Sequence, residues 1–155
     1  MANYWLVKSE ETCFSIDDLA RAGSTHWDGV RNFQARNFMR DGMKVGDKVL
    51  YYHSNSELIG VVGIAEVCRE AYPDHTAFDP ANDHYDPKSK PENPQWMMVD
   101  IAFVAKLPRP VSLQEMKEAP ELTGMTVIQK GSRLSVQSVS EEHFHAVCKM
   151  GGLDG

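Results

Sequence analysis

The sequence predicts an α+β domain: a partly open β-barrel of about five to six strands with helices at its periphery. Three observations carry this prediction. Short runs alternate apolar and polar residues with period two, the pattern of half-buried strands. Helix starts are few and confined to short stretches, each announced by a capping device rather than by a long amphipathic repeat. Gly60 and Gly63 interrupt what otherwise reads as one strand, a mark of crowding where strands bend.

Taken in order, residues 4–9 form the first strand, with Trp5, Val7 and Ser9 on one face and Tyr4, Leu6 and Lys8 on the other. A helix follows from Ser15 as N-cap, with Asp18 at its third position and a Phe14–Leu19 hydrophobic staple. Residues 33–40 form a second helix that begins at Asn32 and places Arg36 and Arg40 on one face, four residues apart. Residues 48–53 and 58–67 pair as antiparallel strands around Ser54-Asn55-Ser56-Glu57. Residues 72–95 hold five of the eight prolines and almost no periodicity. This stretch reads as an ordered excursion with Phe78 and Tyr85 tucked against the barrel, the alternative being a lid or additional contact surface. Residues 96–104 set Met97, Val99, Ile101 and Phe103 on one face of a further strand. A helix then starts at Ser112 with Glu115 at its third position and a Val111–Met116 staple. A short last strand lies at residues 134–136. Ser140 caps the final helix, with a Val139–Phe144 staple and Glu141 and Glu142 facing its positive end. No repeat or boundary divides the chain, so residues 1–155 are read as one domain.

Composition narrows the function classes. No apolar run approaches the ~18 residues of a membrane-spanning helix, and no basic-then-apolar leader opens the chain. A cytoplasmic protein, or a nuclear one in a eukaryote, is expected, with no membrane partner. Cys13, Cys68 and Cys148 are far apart and have no metal-binding spacing. The loop residues His75, Asp79, Asp83, His84 and Asp86 also lack ligand spacing, so no metal and no cofactor are expected. The net charge of −6 opposes strong non-specific binding to polyanions. Against it stands a local basic strip, Arg31, Arg36, Arg40, Lys44 and Lys48, interrupted only by Asp41 and Asp47. By sequence alone that strip is equally a solvated helix face.

The segments Trp5-Leu6-Val7-Lys8-Ser9-Glu10 and Trp27-Asp28-Gly29-Val30-Arg31-Asn32 hold the densest functional signal. An apolar strand delivers a lysine and a hydroxyl, and a turn signal sets an indole near the surface, followed by a glycine, an arginine and an amide. With Tyr52-His53-Ser54 and Gly131-Ser132-Arg133-Leu134-Ser135, these segments resemble the EVE domain, a PUA-like family related to the YTH and ASCH domains. The resemblance implies a PUA-like barrel and a non-catalytic module that accommodates a flipped, modified cytosine or adenine of DNA or RNA. It places Lys8, Ser9, Trp27, Gly29, Val30, Asn32, His53, Ser54, Ser132 and Ser135 around the base. Arg31, Arg36, Arg40 and Arg133 would meet phosphate, in a chain expected to be a monomer. His53 is equally a buried histidine satisfied by backbone. The chain departs from the family at Glu11, where proline is common; a free N–H and a relaxed φ follow. Two alternatives stay open: an ASCH-like hydrolase of acylated cytidine using Lys8, Ser9 and Glu10 or Glu66, and a small-ligand or nucleotide-binding adaptor.

Overall fold

The computed structural model describes residues 4–9, 16–27, 33–53, 59–81, 85–89, 96–129 and 136–152, with Ser9 and Phe33 described by backbone alone. Its strands are β1 (Tyr4–Ser9), β2 (Ser24–Trp27), β3 (Lys48–His53), β4 (Gly60–Pro73), β5 (Met97–Ser112) and β6 (Val136–Val139). The α-helices are α1 (Ile16–Ala22), α2 (Phe33–Asn37), α3 (Leu113–Glu118) and α4 (Glu141–Met150). All six strands join one mixed sheet in the order β2-β5-β4-β3-β1-β6. Only β1 and β3 are parallel; every other neighbouring pair is antiparallel. A parallel pair needs a long crossover, and here α1, β2 and α2 supply it.

Alternation along the central strands feeds two apolar clusters, one on each face. Trp5 and Val7 of β1, with Val49 and Tyr51 of β3, join Ala65, Val67, Val99, Ile101 and Val136 in one, which α1 and α2 help cover. Leu6 and Leu50, with Tyr52, join Val61, Leu107, Val111 and the apolar faces of α3 and α4 in the other. The expected division of β1 into two faces is therefore observed. So are the strand bounds of β1 and β3. Ser112 caps α3 by accepting the Glu115 N–H at 3.1 Å, and Ser140 caps α4 by accepting the His143 N–H at 3.1 Å. The expected cap at Ser15 and Cys13 lie outside the described residues.

Other elements differ from expectation for physical reasons. β2 has four residues, too few and too polar to stand out by periodicity, and owes its conformation to pairing with β5. β5 runs on past Val104 through Pro108 and Pro110. Its register against β4 jumps from Lys106↔Gly63 to Val111↔Val61, so both prolines sit in a bulge where no ladder N–H is required. The second helix does not stop at Arg40: it widens into a π-helical turn, Phe38–Gly42, closed by a 2.9 Å bond from Met43 N to Phe38 O. The last strand is described over Val136–Val139; Leu134 and Ser135 of the expected strand lie outside the described residues.

Gly60 and Gly63 have the role expected of them. A Cβ on Gly60 would stand 2.1 Å from the Val111 carbonyl oxygen, and one on Gly63 would stand 2.4 Å from the Ile16 side chain and 2.9 Å from the Ala105 oxygen. The excursion after β4 is ordered at its described positions. Asp74 caps a 3₁₀ turn (His75–Phe78), and Asp86 accepts the Trp96 indole N–H at 2.5 Å. Phe78 is half-buried as expected, but Tyr85 is exposed.

Candidate functional site

β1 and β3 end side by side: Ser9 is registered with His53, and Lys8 with Tyr52. Period two then assigns Tyr51 and His53 of β3 to one face and Tyr52 to the other. Tyr51 is fully buried and His53 nearly so. Their rings meet edge to face at 5.9 Å. The backbone N–H of Ile16 donates to His53 Nε2 at 3.3 Å, so that nitrogen carries no proton and ties the first residue of α1 to the end of β3. His53 is thus buried with a backbone N–H on Nε2.

Trp27 completes this group from across the sheet. Its ring lies 5.7 Å from Tyr51 at an interplanar angle of 80°. Yet β2 is separated from β3 by β5 and β4. In a flat sheet three such steps span about 14 Å, so the contact exists only because the sheet curls. The curled, unclosed sheet thus brings Trp27, Tyr51 and His53 together at one mouth. Trp27 is half-buried. Among the described residues no acceptor meets its indole N–H. It offers an aromatic surface and a donor, and Tyr51 fixes its plane.

Lys8 does not join them. It sits over the Tyr52 ring, 5.8 Å from its centroid, on the opposite face of β1 and β3. Burial lowers the Lys8 pKa from its usual value and raises that of Tyr52. Glu66, a possible partner for Lys8, lies elsewhere. It is registered with Lys48, bonds its ammonium at 2.6 Å, and Lys48 in turn lies beside Tyr4. Four residues of strand, about 13 Å, separate that level from Lys8.

The basic strip is laced with its own acids. Arg40 holds Asp41 through two bonds of 3.0 Å, which raises the guanidinium pKa and lowers that of the carboxyl. Lys44 lies 3.8 Å from Glu70. Arg36 bonds the Asn37 side-chain oxygen at 3.1 and 2.8 Å. Asp47 is not part of a surface at all: it is buried and accepts the Trp5 indole N–H at 2.9 Å. Gly29, Val30, Arg31, Asn32, Ser54, Ser132, Arg133 and Ser135 lie outside the described residues, as does the side chain of Ser9. Tyr51 was not singled out by the sequence, although alternation in β3 puts it on the face of His53.

The EVE domain model matches residues 3–150. The chain belongs to the EVE domain family. Thymocyte nuclear protein 1 of Mus musculus is 44% identical over 169 residues, covering 97% of this chain and 74% of that protein. The crystal structure of human THYN1 protein in complex with 5-methylcytosine containing DNA superposes on this EVE domain with a TM-score of 0.89 at 40% identity, covering 99% of this chain and 100% of that one. The YTH domain of Zygosaccharomyces rouxii MRB1 protein, 13% identical, gives a TM-score of 0.57 over 99% of this chain and 89% of that one, a likeness of fold. The six-stranded open sheet with peripheral helices is accordingly the PUA-like fold that the sequence predicted.

Proposed function

We propose that this EVE domain is a non-catalytic reader of nucleic acid that receives a flipped, chemically modified base against Trp27. The observation that carries the reading is the half-open indole braced edge-on by the buried Tyr51 ring. Base–aromatic stacking contributes ~1–3 kcal/mol, and unstacking a base costs a few kcal/mol. Trp27 therefore offsets the flip and little more. Hydrogen bonds at the base edge must supply the rest, from Ser9, Asn32, Ser54, Ser132, Ser135 and the backbone at Gly29 and Val30. Arg31 and Arg133 are the phosphate contacts of this reading, with Arg36 and Arg40 flanking them.

The relative crystallised with 5-methylcytosine containing DNA makes a cytosine derivative in DNA the first ligand to try. Burying one methyl gains ~0.8 kcal/mol, about fourfold, so methyl burial alone gives modest discrimination. The hydrolase reading has one point in its favour, the depressed pKa of Lys8. Its Glu66 form lacks the geometry, because Glu66 is engaged by Lys48 at the far end of β1, and Glu10 lies outside the described residues.

Intrinsic fluorescence reports on this site cleanly. Trp5 and Trp96 are buried and bonded to Asp47 and Asp86, leaving Trp27 as the indole a ligand can reach. Titration with oligonucleotides carrying 5-methylcytosine, cytosine, N6-methyladenine or adenine should quench it with preference for a modified base. A folded Trp27→Ala variant should lose both quenching and binding. Undiminished binding by that variant, measured by anisotropy of a labelled oligonucleotide, would sink the assignment.

A further inference from the structure

A second aromatic group sits on β4 and β5, where Tyr72 packs against the same apolar cluster as Trp27. Arg69 and Tyr72 are three residues apart in β4, a spacing that points side chains to opposite faces of a regular strand. The β4–β5 register is broken on both sides of Arg69, between Val67 and Arg69 and between Arg69 and Tyr72. Such bulges re-aim side chains, and here they lay the guanidinium over the tyrosine. Arg69 Cζ stands 3.7 Å from the ring centroid, the separation of stacked planes. Tyr72 is itself anchored: its hydroxyl donates to Asp100 Oδ1 at 2.5 Å. Asp100 is registered with Arg69 on one side and with His26 of β2 on the other. His26 is exposed and meets the His75 ring edge to face at 5.6 Å.

Arg69 is exposed and makes no ion pair among the described residues, so one face of its guanidinium is open to solvent. Its surroundings are acidic: Asp100 lies beside it and Glu70 follows it. That environment disfavours a phosphate and leaves a planar, weakly charged ligand as the suitable occupant. Guanidinium planes stack nucleobases well. The platform is also within reach of the site. Trp27 follows His26 directly on β2, a four-residue edge strand, and Arg69 lies two strands inward from that edge, about 10 Å. A nucleic-acid strand with one base at Trp27 can span that distance to a neighbouring base.

We propose that Arg69, stacked on Tyr72, is a second platform that takes an unpaired base flanking the modified one. This rests on the reading of Trp27 given above. The test compares wild type, Arg69→Ala, Arg69→Lys and Trp27→Ala on single-stranded oligonucleotides, each with one 5-methylcytosine flanked by ordinary or by abasic nucleotides. Arg69→Ala should weaken binding to the ordinary flanks by about tenfold, with Trp27 quenching at saturation and the salt dependence unchanged. Arg69→Lys should not rescue it, since an ammonium keeps the charge but not the plane. Abasic flanks should make wild type and Arg69→Ala equal. A shallower salt slope with rescue by lysine would make Arg69 a phosphate contact and overturn the platform. Full affinity in Arg69→Ala with binding still lost in Trp27→Ala would overturn the platform alone. No binding by wild type to any oligonucleotide would overturn both readings.

Discussion

The three tryptophans occupy two different situations in this chain, and the proposed function rests on the difference. Trp5 and Trp96 bury their rings and satisfy their N–H groups on Asp47 and Asp86, so each is a structural residue whose polar atom already has a partner. Trp27 is half-open, with Tyr51 behind it. Replacing Tyr51 with leucine should keep an apolar core residue while freeing the indole plane. Affinity for a modified base should fall severalfold, and the anisotropy of Trp27 fluorescence in the unliganded protein should fall with it. Unchanged anisotropy would mean that Tyr51 does not position Trp27. Tyr51 was legible in principle, since β3 alternation assigns it to the face of His53. The pairing of Asp47 with the Trp5 indole was not, because the two lie 42 residues apart in sequence. Tyr72 gives a pH prediction at the same scale. Burial first, then Asp100, push its hydroxyl up to about 12. A folded-state pKa raised above the ordinary tyrosine value of ~10 stabilises the fold fully below that value and progressively less as pH rises toward 12. Denaturant midpoints should therefore decline across that alkaline window in wild type, and less steeply in Tyr72→Phe.

Among the elements, the helices were the most legible because their starts are written locally. Ser112 and Ser140 each sit three residues before the N–H they accept, a relation readable from a few letters. Ser140→Ala should cost about 1 kcal/mol, seen as a melting temperature lower by a few degrees with binding unaffected; an unchanged melting temperature would show that the cap contributes nothing net. Strand lengths were less legible. β4 and β5 pair over long stretches because each finds the other, and the prolines of β5 are tolerated only where the β4 register skips. Neither fact is present in a window of one strand. The bend glycines fall between the two cases. Their positions are visible in the sequence, while the atoms that crowd them are not. Gly60→Ala must push aside the Val111 backbone, so a loss of about 1–3 kcal/mol is expected from chemical denaturation. Wild-type stability in that variant would refute the close approach.

At the scale of the whole molecule, the proposed function asks an acidic protein to hold a polyanion. A net charge of −6, and carboxylates paired with Arg40, Lys44 and Lys48 of the basic strip, offset much of the described positive surface. Exposed pairs of this kind are weak, so a phosphate can displace the acid, but at the cost of freeing a carboxylate beside it. Binding should thus depend on the base and only weakly on the backbone. The logarithm of the association constant should fall with that of salt concentration with a slope near −1 to −2, the signature of about one or two phosphates. Asp41→Asn tests which ones. It removes the acid held by Arg40 in two hydrogen bonds. If Arg40 faces the nucleic acid, the variant should bind modified and unmodified oligonucleotides more tightly alike and steepen the slope by about one. An unchanged slope takes Arg40 off the path of the strand and leaves the backbone to Arg31 and Arg133. Either way, preference for the modified base should not move, because in the proposed reading charge on the rim sets how often the strand arrives, and the ring at Trp27 sets which base stays.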